Sequence, residues 1–232
     1  LKTIKYIPVN GKGAKIINRR PNLGDSSEII YVANYFSDDI SVLDTHGLSE
    51  NGSMDGRSFY KGRIILKTSF GRPPHTKKIA PRGVGFIAGG KYALILATET
   101  GSLIVVDSIH HKQIIELAPL PASIAGRDVN VRHIVITKDG NYAYLSHMRG
   151  NAISKIDLTK FTSILEAAVA NKKTQLAASV WNEILTPIGD NAKIMVLEDY
   201  PADHPNFAGK KWNLAHPNTI VLDPVNKRYL YV

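Results

Sequence analysis

Ile29-Ile-Tyr-Val-Ala-Asn-Tyr-Phe-Ser-Asp-Asp-Ile-Ser-Val-Leu-Asp44 holds two β-branched or aromatic runs around a short polar turn. That pattern is a hairpin signal. It recurs at Tyr92-Ala-Leu-Ile-Leu-Ala-Thr-Glu-Thr-Gly-Ser-Leu-Ile-Val-Val-Asp107 and at Tyr142-Ala-Tyr-Leu-Ser-His-Met-Arg-Gly-Asn-Ala-Ile-Ser-Lys-Ile-Asp157. Each second run ends in an aspartate after an aliphatic residue. Such an aspartate is expected to fix the following turn by accepting backbone N–H groups, not to act as an acid.

A further hairpin precedes these. Arg82-Gly-Val-Gly-Phe-Ile-Ala-Gly-Gly-Lys-Tyr92 and Arg132-His-Ile-Val-Ile-Thr-Lys-Asp-Gly-Asn-Tyr142 align without a gap. Their turns carry glycine where a tight hairpin needs positive φ. A third copy is Asn218-Thr-Ile-Val-Leu-Asp-Pro-Val-Asn-Lys-Arg-Tyr229, and a weaker fourth spans Glu183 to Val196. Each unit reads as a four-stranded antiparallel meander, A to D, with strand D at stretches such as Gln113 to Leu117. One such sheet has two faces to bury, and radial stacking buries both. The expected fold class is all-β, a propeller of four-stranded antiparallel blades.

With Tyr31, Ile95, Tyr144, Met195 and Tyr231 as equivalent positions, the spacings are 64, 49, 51 and 36 residues. The reading is a single propeller segment over 1–232, with repeats near 14–68, 81–118, 131–180, 183–215 and 218–232. About four to five blades are expected, a partial ring within a seven- or eight-bladed propeller that continues beyond both ends. Insertions fall at His46 to Lys61 and Thr159 to Thr174, and the second holds an amphipathic helix expected over Phe161 to Ala170.

The 232 residues suffice for a sizeable core. No apolar run approaches the roughly 18 residues of a membrane span. The sequence has no cysteine, which removes disulfides, thiolate zinc sites, cysteine nucleophiles and covalent c-type haem attachment from this segment. Between Asp55 and Glu99 lie nine cations and no acid: Arg57, Lys61, Arg63, Lys67, Arg72, Lys77, Lys78, Arg82 and Lys91. They equal the formal net charge of +9 and predict a local field attractive to carboxylates, phosphates or acidic glycans. No recognition helix or aromatic-interleaved basic motif supports nucleic acid.

In an up-down meander, the D–A and B–C connections fall at the same end of each sheet. That topology groups Arg82, Arg127, Arg132, His133 and Asn218 with Asn34, Thr98 and His147 on one funnel rim. The arginines suit an anionic group, being permanently charged and able to grip a carboxylate with two N–H donors. The competing reading has Arg82 and Arg132 pinning loop carbonyls and His147 stabilising a turn, as Asn34 would. His110 and His111 are adjacent on a turn or strand edge and point apart, so no shared metal is expected. No nucleophile elbow, phosphate loop, zinc-spaced histidine pair or calcium loop is present.

Tyr31-Val-Ala-Asn34 followed by Ile40-Ser-Val-Leu-Asp-Thr45 resembles the repeat of the YVTN propellers, and Leu1 to Gly11 resembles the strand D that closes a preceding unit. The resemblance implies an exported protein, periplasmic or extracellular. Its implied role is a non-catalytic scaffold that binds a partner protein, glycan or envelope component. A narrower likeness is to the haem d1 domain of dissimilatory nitrite reductases. It rests on Gly126-Arg-Asp-Val-Asn130, Ser146-His-Met-Arg-Gly-Asn-Ala-Ile-Ser154 and Asp203-His-Pro-Asn-Phe-Ala-Gly-Lys-Lys211. It would make His147 a donor to a bound anion, place Arg127 or Arg132 on haem carboxylates, and imply a redox module beside a cytochrome domain. The same ring also serves lactonase-type hydrolases, a third implication.

Overall fold

The computed structural model describes residues 7, 9–46, 59–71, 78–188, 193–196, 217, 219–223 and 230–231. The hairpins form where the alternation places them. Strands β1 (Ala14–Arg19), β2 (Ile29–Asn34), β3 (Asp39–Asp44) and β4 (Tyr60–Ile65) pair in chain order as one antiparallel meander. A second meander consists of β5 (Pro81–Ile87), β6 (Tyr92–Ala97), β7 (Leu103–Asp107) and β8 (Lys112–Leu117). A third opens with β9 (Val131–Ile136), β10 (Tyr142–His147) and β11 (Ala152–Asp157).

The first strands of the three units, β1, β5 and β9, lie next to one another, and the sheets pack face to face. Tyr31, Ile40 and Val42 of the first sheet bury against Val84, Phe86 and Ile95 of the second, with the Tyr31 and Phe86 rings 5.1 Å apart. The other face of the second sheet, Leu94, Leu96 and Val105, buries against Val131, Ile134 and Leu145 of the third. The chain is a β-propeller of four-stranded antiparallel blades, seen as a partial ring. A two-stranded hairpin of β15 (Val221–Leu222) and β16 (Leu230–Tyr231) follows the third blade.

The recurring aspartates do what the turn chemistry predicts. Asp44 accepts from the N–H groups of Glu28 and His46, and Asp107 from those of Ile109 and His110. Asp157 accepts from Lys160 N–H, and there the same geometry becomes the N-cap of helix α2 (Leu158–Ala170), the long helix after the single turn of α1 (Ala122–Ala125). The helix therefore starts three residues before the expected Phe161. Its Phe161, Leu165 and Ala168 face the core. At the same end of the strands, Gly89 and Gly140 take φ of 66° and 75° in the A–B turns.

The unit expected to begin at Glu183 does not form a new inner hairpin. Leu185–Thr186 (β13) and Ile194–Val196 (β14) both pair with β11 and complete the outer side of the third blade. Met195 stands opposite Ile153, so it is not equivalent to Tyr31. Before this, Gln175–Leu176 (β12) runs parallel to β8 of the preceding blade, and Trp181, on helix α3 (Val180–Ile184), donates its Nε1–H to the Ala118 carbonyl at 2.8 Å.

Candidate functional site at the bulged inner strands

All three inner strands carry a β-bulge at their second residue. In β1 Ala14 pairs with Asn34 and Ile16 with Ala33, leaving Lys15 as the extra residue. In β5 Pro81 pairs with Ala97 and Gly83 with Leu96, leaving Arg82. In β9 Val131 pairs with His147 and His133 with Ser146, leaving Arg132. A bulge re-aims the side chain it carries and is a common device beside binding sites. Here the extra residue is a cation each time.

Lys15, Lys78 and Arg82 gather around Tyr35, the residue after β2, and the charge of Arg132 also acts on its phenol. The Tyr35 ring has Lys15 Nζ at 5.9 Å, Arg82 Cζ at 5.9 Å and Lys78 Nζ at 5.3 Å from its centre. Its hydroxyl donates to Glu99 at 3.0 Å, and Glu99 also faces Arg149 at 3.9 Å. Burial, then the Glu99 contact, pushes the Tyr35 phenol above its ordinary value, with Arg82 and Arg132 opposing, so the ring stays protonated at neutral pH. Phe36 packs edge-on against Tyr35 and is 62% exposed.

Arg132 is the unusual member. It is only 7% exposed, its guanidinium touches Met148 Sδ, and its Nε–H has no acceptor. Burial, with the positive charge of Arg82 added, disfavours its cationic form. Neither Arg82 nor Arg132 has an acidic partner among the described residues. His133 adjoins them: it is half-buried, its Nδ1 lies 3.4 Å from Ile220 N, and burial and then Arg82 hold it below its usual value. The arrangement can grip an anion from two directions, and none of its described residues is poised as a nucleophile.

The other expected rim residues are employed elsewhere. Arg127 is exposed and donates to the Gly150 carbonyl at 2.8 Å. Asn34 is fully buried, and its Nδ2 donates to Asp39 Oδ1 at 2.7 Å and Ser41 Oγ at 2.8 Å. His147 is also fully buried, with Nε2 2.8 Å from Ser154 Oγ, and burial depresses its pKa to about 4. Thr98 lends its carbonyl to Asn130 Nδ2 at 2.9 Å, and Asn130 in turn accepts from Arg149 N. Asn218 lies outside the described residues, as does the Asp203 to Lys211 segment.

Lys15 and Asn130 were missed by the sequence reasoning. Lys15 could have been found by extending the Arg82–Arg132 alignment back to the first inner strand. Asn130 carries no such signal.

The haem-facing role that the resemblance implies for His147 is not met, while Arg132 remains able to meet a carboxylate. The histidine that would face the haem is sealed between strands and bonded to Ser154, and it stays neutral at the pH where a proton donor is needed. Arg127 is already committed to a backbone carbonyl.

The basic run from Arg57 to Lys91 is not one surface. Lys61 faces Asp44, Arg63 is bonded to Asp39, and Lys91 pairs with Glu166 at 3.0 Å at the A–B end, while Lys78 and Arg82 reach the rim. His110 binds Asp107 and His111 binds Tyr31, so the adjacent histidines do point apart. Among the described residues no cluster of three metal-ligating side chains occurs, and no helix is long and apolar enough to cross a membrane.

Neither a family model nor a curated protein matches the chain. Solved structures do. Hydrazine synthase of Kuenenia stuttgartiensis is 17% identical over 67% of this chain and 35% of its own, with a TM-score of 0.43. A dihydro-haem d1 dehydrogenase is 20% identical over 66% of this chain and 28% of its own, at 0.41. The β-propeller domain of a Myceliophthora thermophila Cps50 is 14% identical over 56% and 35%, at 0.36. In each case the chain spans about a third of the solved protein's length. At these scores the likenesses carry nothing about chemistry, and the fold assignment rests on the sheet topology itself.

Proposed function

We propose that this chain is a binding scaffold whose bulged inner-strand cations hold a carboxylate-bearing partner, with no catalysis of its own. The observation that carries the reading is Arg132: a guanidinium 7% exposed, with a buried Nε–H lacking an acceptor and no acidic neighbour bonded to it. A buried cation with no carboxylate bonded to it among the described residues is costly, even with the Glu99 charge acting on it from a distance. A carboxylate arriving between Arg82 and Arg132 would supply the counter-charge and accept from both. The exposed Phe36 beside them offers apolar contact to whatever carries the carboxylate. The YVTN-like repeat favours an exported protein acting in the periplasm or outside the cell, and that location is part of the proposal.

Titration with a polyglutamate peptide, followed by calorimetry, tests it. Arg132→Ala and Arg82→Ala should each weaken binding about tenfold or more, since removing one partner of a desolvated charge pair is expensive. Unchanged affinity in both variants would sink the reading.

A further inference from the structure

A second cationic site lies on the outer edge of the propeller, away from the rim, and does not depend on it. A groove of about 390 Å³ opens between the outer strands of the first and second blades. Arg63, Lys67, His111, Lys112 and Thr174 line it, Ile65 gives it an apolar lip, and none of its described lining residues is a carboxylate. The volume is within the range of small-molecule sites.

The groups are held in place by their neighbours. The Gln113 side chain clasps the backbone of Lys67 both ways, accepting from its N–H and donating to its carbonyl, each at 2.8 Å. Arg63 is anchored by Asp39. The ammonium groups of Lys67 and Lys112 have no partner among the described residues.

His111 completes the set. Its Nδ1 is 2.8 Å from the Tyr31 hydroxyl, and burial raises the Tyr31 pKa well above its usual value, so Tyr31 remains a phenol able to donate. With Nδ1 accepting, the neutral imidazole carries its proton on Nε2. That leaves an N–H free to donate into the groove.

The geometry points to a binding site for a phosphate or sulfate group, free or as an ester. Donors approach from two blades and from Thr174, more than the two oxygens of a carboxylate can use. A tetrahedral oxyanion presents three or four strong acceptors.

The test is calorimetric titration of the chain with inorganic phosphate and with inorganic sulfate in chloride buffer. The double variant Lys67→Gln/Lys112→Gln replaces two side chains that make no hydrogen bond or ion pair among the described residues, and circular dichroism would verify its fold. We expect it to bind both ions at least tenfold more weakly than the parent, while Arg82→Ala leaves their affinity unchanged. No binding by the parent at 10-millimolar-order concentrations, or equal binding by the double variant, would overturn the site. Loss of phosphate binding in Arg82→Ala alone would move the anion to the rim and overturn it as well. The polyglutamate titration judges the rim separately, so the two proposals can fail independently.

Discussion

His147 Nε2 and Ser154 Oγ meet at 2.8 Å, and Asn34 Nδ2 and Ser41 Oγ meet at the same distance seven residues apart in the first blade. The two pairs tie the end of strand B to strand C in blades that share the turn but not the residue. In both cases the polar pair is fully buried, so its bond is structural.

His147→Asn should therefore fold and lose a pH dependence. The native ring is held neutral with a pKa of about 4, against 6.5 in the unfolded chain. Between those values the unfolded state binds more protons, so stability is full above pH 6.5 and falls as pH drops towards 4. The loss amounts to about 3 kcal/mol. Urea unfolding at pH 7 and pH 4.5 should show a smaller drop in the variant; an equal drop would mean other groups carry it.

Arg132→Met should stabilise the protein while weakening binding about as much as Arg132→Ala does. Replacing a buried unpaired cation by an apolar side chain of similar length removes a desolvation cost, and about 1 kcal/mol of added stability is expected. Thermal unfolding reads the first effect and polyglutamate titration the second. A marked loss of stability would instead make Arg132 a structural residue.

Glu116 is a buried carboxylate at the junction of two blades. It accepts from Ser102 Oγ at 2.7 Å, Thr68 Oγ1 at 2.6 Å and Ser69 N at 2.9 Å, fastening the chain that leaves β4 to the second sheet. Glu116→Ala leaves those donors without an acceptor and should cost about 2–4 kcal/mol in urea unfolding. A loss under half a kilocalorie per mole, the scale of ordinary surface changes, would show that water replaces the carboxylate.

Gly83 sits where β5 passes close to β9. A Cβ there would lie 2.1 Å from Leu96 Cδ1 and 3.1 Å from the Arg132 carbonyl. Leu96 can shift but the backbone cannot move freely, so Gly83→Val should destabilise by about 1–3 kcal/mol. Because the clash abuts Arg132, the same variant should also weaken polyglutamate binding. Intact binding at reduced stability would show that the bulge tolerates the strain.

Hairpins, turn aspartates and the helix in the third unit were readable because each depends on residues within one or two turns of chain. Asp157 illustrates this, since a side-chain acceptor beside free N–H groups caps whatever follows. The pairing of β13 and β14 was not readable. Short runs such as Leu185–Thr186 and Ile194–Val196 have no alternation long enough to name a partner, and the vacant edge of β11 decides. The rim was half legible. Arg82 and Arg132 followed from topology, but their bulges depend on the register of both strands. The burial of His147 depends on packing that residue spacing does not encode.

The short parallel pairing of Gln175–Leu176 with Glu116–Leu117 threads polypeptide from one blade into the sheet of its neighbour. Glu116 and Ala118 then give their N–H groups to carbonyls of Thr174 and Leu176. Those amides can exchange with solvent only when the helical insertion peels away, so the second and third blades should open as one cooperative unit. The occupied edge of β8 is also denied to any foreign strand, a protection against the edge-to-edge self-association to which open sheets are prone.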